Sequence, residues 1–300
     1  MILGQQLIRF YEEYSSLDVT FTKDVVKAIG LVPKQVYLKC IGYQWPCIIY
    51  SSSMVSAKVI VNAKLGIQTI AQKANNMVSL RFSLLSDKPD PVSFFVSAKI
   101  AGALPYGTAN PGLNILVLTF TQRPADDLIS ALGELLEANV NSKKRKEERI
   151  VLTPEVMEKM GFKAKETTLF VEKVPRKGII RDISFSGAKV IIAGVAKFMV
   201  QKNVVIHLEN EHSPEPLIIE GTILRFEPVE GRKDISAFAI QFKEEGVPLR
   251  YKIMVNDYLR QKKHKPAAAA QQKPVVENPL PPPPPDASPE APPPPAEKKD

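Results

Sequence analysis

The sequence predicts a mainly β protein: two tandem antiparallel β-barrels, each with flanking short helices, ahead of a disordered Pro-rich C-terminal tail. Three observations predict this. One stretch of text occurs twice in the chain. Each copy breaks into short runs rich in Val, Ile, Leu and Phe, separated by turn residues. Residues 261–300 hold 13 of the 26 prolines and no aromatic residue, too little apolar surface to offset the entropy of ordering them.

The repeat is direct. A shift of 131 residues lays Thr22–Ile60 on Thr153–Ile191 without a gap, and 12 of the 39 pairs are identical. Ala57-Lys58-Val59-Ile60 matches Ala188-Lys189-Val190-Ile191 outright. Such a match marks two copies of one fold, too few for a solenoid. The expected domains are residues 1–140 and 141–260, with the tail at 261–300.

Each copy opens with a short helix. Thr153 suits the N-cap, Pro154 the first helical position and Gly161 a left-handed end, with Thr22 and Gly30 at the matching places. Strands are expected at Leu169–Glu172, Gly178–Ile183, Ala188–Ile192, Val204–Leu208, Leu217–Phe226 and Ser236–Phe242. A closing helix follows in each copy. Tyr251, Met254, Val255, Tyr258 and Leu259 form one apolar stripe, and Leu128, Ala131, Leu132, Leu135 and Leu136 the other. The first closing helix is expected to end near Ala138.

Composition excludes several classes. An apolar fraction of 44% permits real cores, but no apolar run is long enough to cross a bilayer. Met1–Leu3 run straight into Gln5, Gln6 and Arg9, which is no signal-peptide pattern, so a cytoplasmic location without membrane insertion is expected. Cys40 and Cys47 fit no zinc spacing and read as buried thiols. His207, His212 and His264 are scattered, with no partner at metal or triad spacing. No nucleophile, phosphate loop or dinucleotide fingerprint is present, so neither an enzyme nor a bound cofactor is expected. Net charge of +8 favours an anionic partner.

The two copies differ where chemistry can sit. Under the shift, Arg145 falls on Tyr14, Arg149 on Asp18, Asp182 on Ser51 and Gly187 on Ser56, while Ser184 keeps Ser53. Only the second copy carries R-x-x-x-R (Arg145 to Arg149) followed by D-x-S-x-x-G (Asp182, Ser184, Gly187). The first motif alone is weak, because it sits in a basic run, Lys143–Arg149; the second is stronger alone but is also compatible with an ordinary turn. In this order, ahead of an Ala-Lys-Val-Ile strand, they resemble the PilZ family of cyclic di-GMP receptors. A degenerate first copy, a basic linker and an intact second copy are most similar to its two-domain spirochaete members.

That resemblance implies a six-stranded antiparallel barrel with a C-terminal helix and a receptor that changes shape on binding, regulating targets such as motility or virulence. The ligand would be held by Arg145, Arg149, Asp182, Ser184 and Gly187. Guanidinium forks match phosphates and the N7/O6 edge of guanine. An ionised Asp182 accepts from guanine N1–H and N2. Lys144, Lys146, Arg181, Ser186 and Arg225 flank the motifs or lie on a nearby strand and could add to the site. Because the arginines follow the first closing helix, the site is expected at the junction between the copies, on a mobile linker. A basic nucleic-acid-binding protein, gated by the dinucleotide, is the alternative. A protein partner of unknown identity, docking through the first copy or the tail, is a third reading.

Overall fold

The computed structural model describes residues 4–85, 90–107, 112–194, 196–211 and 215–264. Of the expected tail, everything after His264 lies outside the described residues, as does His212. The first copy comprises α1 (Gly4–Tyr14), β1 (Val19–Thr20), α2 (Lys23–Ala28), β2 (Tyr37–Cys40), β3 (Tyr43–Pro46), β4 (Ile48–Ser52), β5 (Ser56–Asn62), α3 (Ile67–Gln72), β6 (Met77–Leu84), β7 (Val92–Pro105), β8 (Leu113–Phe120) and α4 (Asp126–Lys144). The second comprises β9 (Ile150–Val151), α5 (Pro154–Met160), β10 (Glu166–Val171), β11 (Val174–Ile183), β12 (Gly187–Ala193), β13 (Asn203–Leu208), β14 (Leu217–Val229), β15 (Arg232–Phe242) and α6 (Leu249–His264). Residues Met1–Lys262 form one unit that holds both copies.

The duplication is visible bond by bond. The Thr22 and Thr153 hydroxyls accept from the amides of Val25 and Val156, capping α2 and α5. Phe21 N–H donates to Tyr50 C=O, and Leu152 N–H donates to Arg181 C=O. A bulge interrupts the ladder at Tyr50 in one copy and at Arg181 in the other. Period-2 alternation sets the buried face of each strand, as in β10 and β13. The second core gathers Leu169, Val190, Ile219 and Phe238, and α6 presses Tyr251, Val255 and Leu259 onto it. The first gathers Leu38, Val59, Leu80 and Leu118 under α1 and α4.

The copies part company in closure. In the second, the hydrogen-bonded order β10-β13-β14-β15-β12-β11 returns to β10, giving a closed six-stranded barrel with β9 added beside β11. In the first, the order β1-β4-β5-β8-β7-β6-β2-β3 stays open as a curled sheet. The copies differ in one residue at the barrel corner. Gly178 pairs with Thr167 on one side and Ile192 on the other, so β11 crosses the barrel corner unbroken. A Cβ there would lie 2.4 Å from Leu169 Cδ1 and 2.9 Å from Val190 Cγ1. The first copy has Cys47 at the matching place, and its strand divides there into β3 and β4. Cys47 is buried, and burial pushes its thiol up to about 12.

Two elements depart from expectation. Helix α1 was not anticipated, although Leu7, Phe10, Tyr11 and Tyr14 have helical spacing. Its Phe10 is buried against α4 at Gly133, where a Cβ would lie 2.3 Å from the ring. Helix α4 does not stop near Ala138 but continues to Lys144. Its polar last turns contain no Gly or Pro to break them, and Lys143 and Lys144 suit the negative end of the helix dipole. Arg145 is thus the C-cap of a helix, with its N–H bonded to Asn141 C=O at 2.8 Å, rather than part of a long linker.

Replacing Gly178 with Val should lower the stability of the protein by about 1–3 kcal/mol through overpacking at the corner. Thermal melting should show the drop. Cys47→Gly in the first copy should leave the melting temperature of the second barrel unchanged.

Candidate functional site

Strand pairing builds the site. In register, Arg225 of β14, Ala239 of β15, Lys189 of β12 and Asp182 of β11 form one row across the barrel, ending on Val151 of β9. Cross-strand neighbours share a face, so this row lies on the outside. Ala239 adds only a methyl group, which leaves the row open between Arg225 and Lys189. The short β9 ladder brings Arg149, just ahead of Ile150, beside Asp182. Arg149 Nη1 donates to Asp182 Oδ1 at 2.5 Å. The aspartate side chain is 11% exposed and the arginine 44%, so a nearly buried carboxylate is closed off by a half-exposed fork.

The turn after β11 carries the other motif residues. Ser184 N–H bonds Gly187 C=O at 2.8 Å, and Ser184 Oγ donates to the same carbonyl at 3.3 Å. Ser184 is buried, so its hydroxyl holds the turn, just as Ser53 Oγ accepts from Ser56 N–H in the first copy. Gly187 is dictated by the neighbouring strand: a Cβ would stand 2.4 Å from Ile240 C=O. Ser186 faces outward and ties the turn to the R-x-x-x-R segment, donating to Lys146 C=O at 2.8 Å and reaching Glu147 Oε1 at 3.3 Å. Tyr251 of α6, fully buried, donates to Ser184 C=O at 2.7 Å and anchors the turn from beneath. Burial raises its hydroxyl well above the ordinary tyrosine range.

The cations are not equivalent. Among the described residues the Arg145 guanidinium takes no hydrogen bond or ion pair, which leaves it available to an anion. Lys144 is exposed and ends α4. Lys146 pairs with Glu244 at 3.2 Å. Arg181 is the exposed bulge residue of β11. Arg225 is exposed, 4.0 Å from Glu227, whose other oxygen lies 2.5 Å from Lys189. A cavity of about 310 Å³ opens between α4, the turn and α6, lined by Asn139, Lys143, Lys146, Phe185, Ser186 and Lys252 among others. Burial pulls the Lys252 ammonium down, Lys143 adds to that, and Glu244 and Asp24 oppose it.

Three positions were missed by sequence reasoning. Lys189 matches Lys58 and so reads as shared fold text, yet it stands in the row with Asp182. Ala239 has no signal except its parity on β15. Tyr251 looks like one more member of an apolar stripe, and its hydroxyl was the clue. The first copy supplies the contrast. At the place of the Arg149–Asp182 pair it has Asp18 and Ser51, joined by Ser51 Oγ donating to Asp18 Oδ2 at 2.9 Å, with Lys58 2.8 Å from the same carboxylate. A carboxylate thus stands where the second copy has a guanidinium.

A closed antiparallel barrel with a C-terminal helix, an R-x-x-x-R segment laid against it and a D-x-S-x-x-G turn on its outer face defines a PilZ domain. Residues 143–260 match the PilZ domain and residues 5–139 the PilZN3 domain. A protein of Treponema denticola described as a cyclic di-GMP binding protein is 43% identical over 265 residues, covering 88% of this chain and 84% of that one. The chain belongs to the PilZ-domain family. Among solved structures, that of the Borreliella burgdorferi PlzA protein in complex with c-di-GMP is 22% identical, with a TM-score of 0.40, covering 86% of this chain and 99% of that one. The K. pneumonia MrkH complex with c-di-GMP is 12% identical, with a TM-score of 0.30, covering 88% and 97%.

Arg149→Ala should cost about 1 kcal/mol of stability, because it leaves a nearly buried carboxylate without its donor, less the screening at a half-exposed arginine. Adding Asp182→Asn should restore most of it. Urea unfolding of the two variants against the parent checks both signs.

Proposed function

We propose that the chain is a receptor for cyclic di-GMP, bound by the second copy at the R-x-x-x-R segment and the outer row of the barrel. The observation that carries this reading is the contrast between the copies: a half-exposed Arg149 guanidinium on Asp182 beside an unengaged Arg145 in one, and an Asp18 carboxylate with no arginine near it among the described residues in the other. The identity with the Treponema relative supports the choice of ligand. Arg145 and Arg149 would grip phosphate or the guanine N7/O6 edge, and Asp182 would accept from guanine N1–H and N2. Lys189 adds charge to the floor, and Ala239 gives a base room to lie flat. Ser184 and Gly187 hold the turn that carries the site. Ligand contact at Arg145 would act on α4 and thereby on the arrangement of the copies, which is how such a receptor would signal without chemistry. Roughly four charge-assisted bonds of about 1.5–3 kcal/mol each, less ordering costs, are consistent with sub-micromolar binding, about −8 kcal/mol or better. Titration calorimetry with cyclic di-GMP should show one site per chain. Arg145→Ala and Arg149→Ala should each weaken it by at least tenfold, and Asp18→Ala should not. Unchanged binding in Arg145→Ala would falsify the assignment.

One observation favours a nucleic-acid strand as a second partner, taken by the first copy. The outward rows of β2, β6 and β7 read Tyr37–Arg81–Phe95, Lys39–Ser79–Ser97 and Met77–Lys99. The Arg81 guanidinium lies 5.3 Å from the Tyr37 ring centre, and the Lys39 ammonium 6.0 Å from that of Phe95. These rows contain cations and rings but no carboxylate, and a cavity of about 400 Å³ opens among Lys39, Met77, Phe95 and Ser97. Bases stack on such rings while cations meet phosphates. Fluorescence anisotropy with a single-stranded oligonucleotide should show binding that falls steeply with salt and is lost in Tyr37→Ala/Phe95→Ala. Retention of full affinity in that variant removes this reading.

A further inference from the structure

The charged groups at the helix junction do not belong to either barrel core. Glu137 of α4 is buried, and its Oε1 is bonded by Arg9 of α1. Its Oε2 accepts from Asn256 Nδ2 of α6 at 3.0 Å and lies 3.4 Å from Arg260 Nη1. Asn256 is 1% exposed, and its Oδ1 accepts from Asn141 Nδ2 at 2.7 Å. One buried carboxamide of the second copy is therefore held at both ends by α4 residues one turn apart. Arg260 also pairs with Asp257 at 2.8 Å. Burial, then the Glu134 charge, lift the Asp257 carboxyl to about 7 against the pull of Arg260.

The apolar contacts here do not fix direction. Leu249 and Ile253 of α6 pack against the first core, and such burial tolerates sliding and rotation. The amide does not. A shift of α6 along α4 would strip Asn256 of both partners inside the protein, and unpaired buried groups are costly. Residues 137 and 141 follow at i and i+4 on one face of α4, and Arg145 caps the helix one turn further on. The Arg145 N–H still bonds Asn141 C=O, so the clamp ends on the residue that delivers Arg145.

We propose that Asn256 and Glu137 are positioning residues for the dinucleotide site: they lock the last turn of α4 against α6 and so set where Arg145 meets the Arg149–Asp182 pair. This rests on the cyclic di-GMP reading above. Neither residue touches the ligand. The lock places the first copy's helix in register with the second copy's barrel, so the site is completed only when both are docked.

The test is a double-mutant cycle on the full chain, read by calorimetry with cyclic di-GMP. Asn256→Leu keeps the branched shape and heavy-atom count and removes both amide bonds, and should weaken binding about tenfold. In an Arg145→Ala background the same change should cost nothing further, because the group it places is gone. In an Arg149→Ala background it should again cost about tenfold. Wild-type affinity in Asn256→Leu overturns the proposal, and so does an undiminished loss in the Arg145→Ala background, which would mark a general structural effect. A second readout does not depend on the ligand. Spin labels at exposed Lys39 and Lys197, one in each copy, should give a narrow distance distribution in the parent and a broad one in Asn256→Leu. No binding by the parent together with that broadening would refute the receptor reading alone. No broadening would refute the lock.

Discussion

At Gly178 strand β11 is hydrogen-bonded along both edges, and the outer face of the second copy depends on that double pairing. It closes the barrel, fixes the register of β11 against β12 and so sets Asp182 beside Lys189. The Arg181 bulge then turns Asp182 to meet Arg149 from the β9 side. In the first copy Cys47 stands at the corner, the strand divides there into β3 and β4, and the sheet remains open.

The site on that scaffold is a balance of burial and charge. Asp182 is nearly enclosed, and an enclosed carboxylate must be met by a donor. Arg149 meets it with one end of a planar fork and stays half exposed, while Arg145 is left without a partner among the described residues. The first copy solves the same local problem with Ser51, Asp18 and Lys58, a neutral donor and a reversed ion pair. The same backbone therefore carries a half-exposed guanidinium in one copy and a lysine-paired carboxylate at the matching place in the other. The outward basic and aromatic rows of the first copy lie on different strands, β2, β6 and β7.

The junction links these halves through a few directional bonds. Gly133 lets α1 lie close on α4, α6 inserts Leu249 and Ile253 against the first core, and Asn256 supplies the register. Arg145 caps the helix that carries Gly133 and the partners of Asn256. A force on its guanidinium is thus applied at the end of a rigid element rather than to a loose connection.

Much of this was legible in the sequence. The ungapped 131-residue repeat established two related β units, because both copies had to keep the same caps, turns and inward-facing residues. The absence of both arginines, the aspartate and the glycine from the first copy singled out one candidate site. The run of α4 past Ala138 was not legible, since Asn139–Lys144 are polar apart from Val140 and read as linker, while the bond from Asn141 to Asn256 of α6 appears only in the folded chain. Nor were Lys189 and Ala239, whose importance lies in a row that four strands assemble. The sequence by itself determined the duplication, the β class and the residues unique to the second copy, all of which are encoded in local pattern and comparison. Only the tertiary structure decided which barrel closes, that Ser184 and Gly187 serve the turn, and which groups stand beside Asp182, because strand register and burial arise from contacts between residues far apart in the chain.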